Sequence, residues 1–296
     1  MQNTIKIHQF IEFSLSQVRE KIGEILGGEV ISICGSIDQG LDDVIRRDIE
    51  ALKKQKGELS ERLVVMIATS GGFVDVVERI CDVFRNNFEI VDFIVPNCAY
   101  SAGTVLVLSG DSIYMDYHSA LGPIDPHIRD DKGRWIPGAK YLHQYDKLIR
   151  KSGEVNLTDA ELLFSAENID PADMFAVKQA TERSKELIKK WLVEYKFKNW
   201  TTTATKKQNV TLEMKQKRAE SIAEILGNTS RWHSHGYGIT MRELCDGDIH
   251  LAINDYGKKE ELSENIRRYG SLLDGHHYKR NAQCALHSAN GFTRLT

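Results

Sequence analysis

Three short apolar runs, each separated from the next by an amphipathic stretch of helical period, constrain this chain more than any other feature. "EVISICGSID" (29–38) reads as a short buried strand ending in a Gly-Ser turn, "RLVVMIATSGG" (62–72) as an apolar strand stopping at a glycine pair, and "FEIVDFIV" (88–95) as a buried strand. Between them, "LDDVIRRDIEALKKQKG" puts Leu41, Val44, Ile45, Ile49 and Leu52 on one stripe. "FVDVVERICDVFRNN" does the same with Val76, Val77, Ile80, Val83 and Phe84. Strands alternating with helices are joined by crossovers, which pair the strands in parallel. A fourth run, "SIYMD", follows at 112–116. The expected fold is therefore α/β, a parallel sheet layered with helices. Its C-terminal half is largely helical, since 140–152, 158–168, 171–197 and 211–226 all repeat apolar residues at three and four.

The organisation follows from the punctuation. A helical segment at 1–27 is stopped by Gly27-Gly28, a main domain spans 28–250, and a C-terminal helical segment with a tail occupies 251–296. "KNWTTTATKKQNVT" is polar and reads as a loop. The tail after about Gly270 lacks periodicity and is expected to be loosely held.

Composition narrows the classes of function. A formal net charge of -3 gives no support for nucleic-acid binding, and "TKKQ" and "KQKR" read as solvated helix faces. The five cysteines are odd in number and lack CxxC spacing, so free thiols in a reducing, cytoplasmic setting are expected. The start of the chain is amphipathic and carries acids, unlike a signal peptide. No apolar run reaches the length of a membrane span. No GxxxxGK[ST] loop is present, and no cofactor is expected.

Two loops stand at the carboxyl ends of strands, where ligands bind in open α/β sheets: "TSGG" at 69–72 and "AYSAGT" at 99–104. Glycines at such a turn let a substrate approach the backbone and leave N–H groups uncovered. Ser101 opens an apolar segment that reads as a short buried helix. Its ordinary role there is an N-cap. The alternative is a nucleophile beside an oxyanion hole formed by the amide of Gly71 or Gly72 together with that of Ala102. Either loop alone is common; both together, about thirty residues apart with a helix and a strand between them, are far more specific.

The order strand, "TSGG", helix, strand, "YSAGT", "SGDSIYMDYHSALGPIDP" resembles the Clp protease/crotonase superfamily. It is most similar there to the serine dehydrogenase proteinase and signal-peptide-peptidase-like serine peptidases. The resemblance covers roughly residues 28–150 and is looser through "RWHSHGYGITMREL". It implies the superfamily's repeated β-β-α superhelix, Ser101 as nucleophile, and Gly71, Gly72 and Ala102 as oxyanion candidates. It also implies a peptide or protein substrate, a homo-oligomer and, for any unfolding power, a separate activating partner.

A serine needs a neighbour to take its proton. Relatives use either a Ser-Lys dyad or a Ser-His-Asp triad. Lys140, in "WIPGAKYL", falls near the dyad lysine's distance, and apolar company is what lowers a lysine toward neutrality. His127, in "GPIDPHI", falls near the triad histidine's distance, with Asp170 or Asp173 to orient it. Branch resemblance favours Lys140, although an ordinary lysine is an exposed helix residue and His127 lies in a charged loop. His118, before "SALGP", reads as a turn residue. "RWHSHG" raises a metal site from His233, His235 and Cys245, but a fourth ligand is not evident, and packing around Trp232 is the expected role.

Three functions follow for such a chain. A serine peptidase uses Ser101 and the backbone amides to cleave a peptide bond. An acyl-CoA enzyme of the crotonase type would need a positioned carboxylate, for which Asp125 is the candidate, and no serine. A silent scaffold subunit would be indifferent to Ser101→Ala. The serine at the nucleophile position favours the peptidase.

Overall fold

The computed structural model describes residues 2–124, 127–129, 135–159, 161–163, 171–203, 206–234, 236–278 and 283–295. The chain opens with helix α1 (Gln2–Leu26), then strand β1 (Glu29–Gly35), α2 (Leu41–Lys56), β2 (Arg62–Ala68), α3 (Val74–Asn87) and β3 (Ile90–Ile94). A two-residue strand β4 (Cys98–Ala99) leads into the short helix α4 (Ala102–Val107), followed by β5 (Ser112–Met115) and β6 (Ala120–Leu121). The hairpin β7 (His127–Arg129) and β8 (Trp135–Pro137) runs straight into α5 (Gly138–Glu154). Helix α6 (Pro171–Trp191) ends in a π-helical turn over Leu192–Lys196. The remainder comprises α7 (Leu212–Gly227), α8 (Thr229–Trp232), β9 (Ile239–Thr240), α9 (Met241–Cys245), β10 (Asn254–Asp255), α10 (Glu260–Tyr278), β11 (Cys284–Ser288) and β12 (Gly291–Leu295).

The expected parallel sheet is present. Seven strands pair in the order β10-β5-β3-β2-β1-β11-β12, parallel from β10 to β1. Both faces are covered, which is why the strands read as continuous apolar runs rather than alternating ones. Strand pleating nevertheless sorts their residues. Ile31, Ile33, Leu63, Val65, Ile67, Val91, Phe93 and Ile113 join the core that takes the stripes of α2 and α3. Val30, Cys34, Val64, Met66, Ile94 and Tyr114 face the other way, onto Leu15, Val18 and Ile22 of α1 and Leu262, Ile266 and Tyr269 of α10. Each such buried aliphatic side chain contributes about 1.5–3 kcal/mol relative to exposure.

The tail is a correction to the sequence reading. Far from loosely held, residues 284–288 form a fully buried strand that lies antiparallel beside β1, and β12 folds back on it as a hairpin. The two-residue turn is Ala289-Asn290, and Gly291 opens β12 at a φ of 103°.

A second, smaller sheet sets up the site. β4 lies parallel to β6, and β6 antiparallel to β9, across the carboxyl edge of the main sheet. No helix among the described residues is long and apolar enough to cross a membrane.

Candidate active site at the carboxyl edge of the sheet

Three loops leave the carboxyl ends of β1, β2 and β3, and the backbone laces them together. The Ile37 N–H donates to the Gly71 carbonyl and the Phe73 N–H to the Ile37 carbonyl, both at 2.9 Å. On the other side, the Thr69 N–H donates to the Cys98 carbonyl (2.9 Å) and the Tyr100 N–H to the Thr69 carbonyl (3.0 Å). The glycine loop is thus held between Ile37, in the loop before α2, and the segment that carries Ser101.

Ser101 sits at a strand-to-helix turn with φ 51° and ψ -120°, a backbone conformation that costs a non-glycine residue about 1–3 kcal/mol. The strain is not explained by capping, since the Ser101 side chain makes no cap hydrogen bond to α4. The ordinary role of a serine at this position is therefore not the one it plays. Only 8 % of the residue is exposed.

Gly71 is pressed against it. A methyl group placed on Gly71, whose φ is 112°, would come within 2.8 Å of the Ser101 Cβ and 3.4 Å of the Ala102 nitrogen. The structure thus brings Gly71, Ser101 and Ala102 into direct proximity, as the two motifs require. It also separates the two glycines by role. The Gly71 N–H donates to the Thr69 hydroxyl at 3.0 Å. Among the described residues the N–H groups of Gly72 and Ala102 have no such acceptor. Gly72 cannot carry a side chain, because its Cβ would fall 2.1 Å from the Ile37 carbonyl oxygen.

Two residues of the site were not singled out from the sequence. Thr69, inside the quoted "TSGG", orients Gly71. Thr104, fully buried, donates its hydroxyl to the carbonyl of Ala99 (2.7 Å) or Gly122 (2.9 Å) and accepts from the Gly122 N–H (2.9 Å). It pins α4 to both β4 and the loop after β6. A hydroxyl in an otherwise apolar helix, "AGTVLV", was the available signal.

The base candidates lie in one supersecondary unit. His127 opens β7 and pairs with Pro137, and Lys140 follows three residues later in the first turn of α5. The side chains of both lie outside the described residues. Helix α6 packs against β7, α5 and α4, and so links this unit to the helix that follows Ser101. Asp125 and Asp170 lie outside the described residues, and Asp173 stands half-buried in the first turn of α6.

His118 is a turn residue as expected, its N–H donating to Asp116 Oδ1 at 2.8 Å. Burial works to raise the Asp116 carboxyl, but the N–H of His118, the Arg267 guanidinium and Ser119 outweigh it and hold the group below the usual carboxylate range. Trp232 is buried, donates its indole N–H to the Ile225 carbonyl (2.8 Å) and stacks on Tyr237 with ring centroids 5.4 Å apart. His233 is exposed beside it, and His235 lies outside the described residues.

Residues 45–212, more than half of the chain, match the model of a family described as ClpP-like SDH-type serine proteinase. Uncharacterized protein MJ0137 of Methanocaldococcus jannaschii is 34% identical over 232 residues, 77% of this chain and 66% of that one. Uncharacterized protein MJ1495 of the same organism is 25% identical over 167 residues, 55% of each chain. The chain thus spans about half to two thirds of the length of these curated relatives. Among solved structures, ClpP1 from Listeria monocytogenes aligns over 76% of this chain and 91% of its own, at 13% identity and a TM-score of 0.38. A mutant of the 1510-N membrane-bound stomatin-specific protease aligns over 53% and 83%, at 20% identity and a TM-score of 0.32.

Proposed function

Because the chain belongs to the ClpP-like, SDH-type serine proteinases, we propose that it is a serine peptidase in which Ser101 attacks the carbonyl carbon of a peptide bond. As Ser101 Oγ bonds to that carbon, its proton passes to the neutral amine of Lys140. The developing oxyanion accepts from the N–H groups of Gly72 and Ala102, each worth a factor of about 10²–10³ in rate at such a site. Collapse of the tetrahedral adduct breaks the C–N bond, and the Lys140 ammonium gives its proton to the leaving amine. Water then attacks the acyl ester, loses a proton to Lys140, and releases a carboxylic acid as Ser101 Oγ takes the proton back.

One observation carries the reading. Ser101 is held at a strained φ of 51° without capping its helix, against Gly71 and beside the Ala102 amide, which like the Gly72 amide has no acceptor among the described residues. A turn that stores strain for no structural return is what a nucleophile at a strand-to-helix elbow requires. The choice of Lys140 as base rests on branch resemblance and on its place in the first turn of α5. The same resemblance supports a self-assembled particle that takes peptide or protein substrates, with a separate partner where unfolding is needed.

The test is labelling with a fluorophosphonate probe. Wild type should label at one serine, and Ser101→Ala, still folded by circular dichroism, should not. Undiminished labelling of Ser101→Ala would place the nucleophile elsewhere and end the proposal.

A further inference from the structure

At the opposite edge of the main sheet, where β2, β3, β5 and β10 begin, a cleft of about 1150 Å³ opens between the sheet and the end of α6. The strand-start residues Arg62, Ile90, Ser112 and Asn254 form one wall, and Tyr195 to Trp200 form another. This edge is remote in the fold from the loops around Ser101, which leave the other ends of the same strands. The cleft is thus a separate feature.

Its construction is unusual in two respects. First, α6 does not simply end there. Its last turn widens to a π-helix, closed by the Phe197 N–H donating to the Leu192 carbonyl at 2.7 Å. Such one-residue insertions are rare and cluster at functional sites. This one sets Tyr195 and Lys196 on the cleft wall, followed directly by Phe197 and Trp200, whose rings meet edge to face at 5.5 Å.

Second, although Glu89, Asp92 and Asp111 also line the cleft, two of its cations have no direct carboxylate partner among the described residues. Asp92 is engaged by Arg62, and Asp111 by Arg85 at 2.7 Å. Among the described residues, Lys196 and Arg218 make no ion pair. Lys196 Nζ reaches only the Asp111 carbonyl, at 3.4 Å, and Arg218 only the Ile249 carbonyl. Burying a cation without a direct partner is costly, and a bound anion between the two would offset that cost. Burial lowers Lys196 to about 8, with Asp92, Asp111 and Cys245 acting in the opposite sense. The ammonium is therefore largely charged at neutral pH. Burial also lowers Arg218 from its ordinary value, with Asp248 acting in the opposite sense.

We propose that this cleft is a second binding site, which takes a small organic anion. Its carboxylate or phosphate would be held between Lys196 and Arg218, and a planar apolar group would pack on Trp200 and Phe197. The buried Asp92 Oδ1, which has no hydrogen-bond partner, would accept from a donor on the same molecule. Pockets of this make-up, apolar walls with a few converging polar groups, are the usual form of small-molecule sites. The inference stands apart from the peptidase reading, since none of these residues belongs to the Ser101 site.

Isothermal titration of the full chain with phenyl phosphate, inorganic phosphate and benzyl alcohol tests it. Phenyl phosphate should bind saturably at one site per chain. Inorganic phosphate should be weaker by about tenfold or more, and benzyl alcohol should show no saturable binding up to about 10 mM. Lys196→Met should reduce phenyl phosphate affinity by about tenfold or more, as should Arg218→Met. Trp200→Leu, which keeps the charges, should weaken phenyl phosphate but leave inorganic phosphate unchanged. Absence of saturable phenyl phosphate binding to wild type would overturn the proposal. So would binding that Lys196→Met and Trp200→Leu, both folded by circular dichroism, leave untouched.

Discussion

Replacing Thr104 with valine is the perturbation that most directly probes how the nucleophile turn is held. The side chain is fully buried, and its hydroxyl serves three backbone groups: it donates to the Ala99 or Gly122 carbonyl and accepts from the Gly122 N–H. Valine keeps the shape and removes the hydrogen bonds. The Gly122 N–H is then buried without its acceptor, and one carbonyl loses its donor. Each such unmet group costs about 1–3 kcal/mol, so Thr104→Val should lose about 2–4 kcal/mol. Thr104→Ser keeps the hydroxyl and deletes one methyl group, at a cost of about 1 kcal/mol. Urea denaturation followed by tryptophan fluorescence measures both, read as a shift in midpoint at constant slope. The valine variant should also label more slowly with fluorophosphonate below its midpoint, because α4 and Ser101 are anchored through the same hydroxyl. A serine variant as destabilised as the valine variant would refute the reasoning, since it would show that packing, and not the hydrogen bonds, holds the turn.

Other substitutions follow from the same geometry. Gly72→Ala should abolish labelling and lower stability, because its Cβ would lie 2.1 Å from the Ile37 carbonyl; normal labelling at native stability would show that the loop is not so held. Asp116 has a folded-state pKa below its ordinary value, so its contribution is present above the unfolded pKa and is lost as pH falls through the folded one. Asp116→Asn should therefore be less stable at neutral pH and show a flatter stability profile in acid; a profile parallel to that of wild type would contradict the assignment. Removing residues 283–296 strips the antiparallel neighbour from β1 and exposes an apolar edge, so the shortened chain should aggregate or lose hydrogen-exchange protection across β1. Unchanged protection there would mean that β11 is dispensable.

How much of this was legible in the sequence varied with the kind of interaction. The parallel strands were readable because burial on both faces makes each a continuous apolar run, and the helix stripes between them matched the period of 3.6. The turns at Gly71 and Ser101 were readable as turns because glycines and a serine stand just past the apolar runs. What escaped were features set by distant partners. Cys284 to Ser288 form a strand because β1 leaves an open edge for them, which no local pattern records. Thr104 and Thr69 look like minor polar residues until the loops they join are seen side by side. The π-helical turn at Leu192–Lys196 was likewise invisible, since "LVEYK" continues an acceptable α-helical pattern.

The identity of the general base can be decided by the pH dependence of labelling. A histidine with its ordinary pKa near 6.5 is already deprotonated at pH 8, so a His127-dependent rate should level off by about pH 7.5. A lysine is active only as the neutral amine, and even when burial lowers its pKa the rate should go on rising through about pH 8 or beyond. The two readings therefore differ in the shape of the curve, not just in its height. Lys140→Ala should remove the alkaline rise and leave a slow residual rate, while His127→Ala should keep the wild-type shape. If Lys140→Ala retains the full rise and His127→Ala abolishes labelling with its fold intact, the dyad is wrong and the triad takes its place. If both variants label as wild type does, neither residue is the base. The proton would then have to leave Ser101 by way of another group, and a carboxylate with a depressed pKa, such as Asp116, is too weak a base to serve.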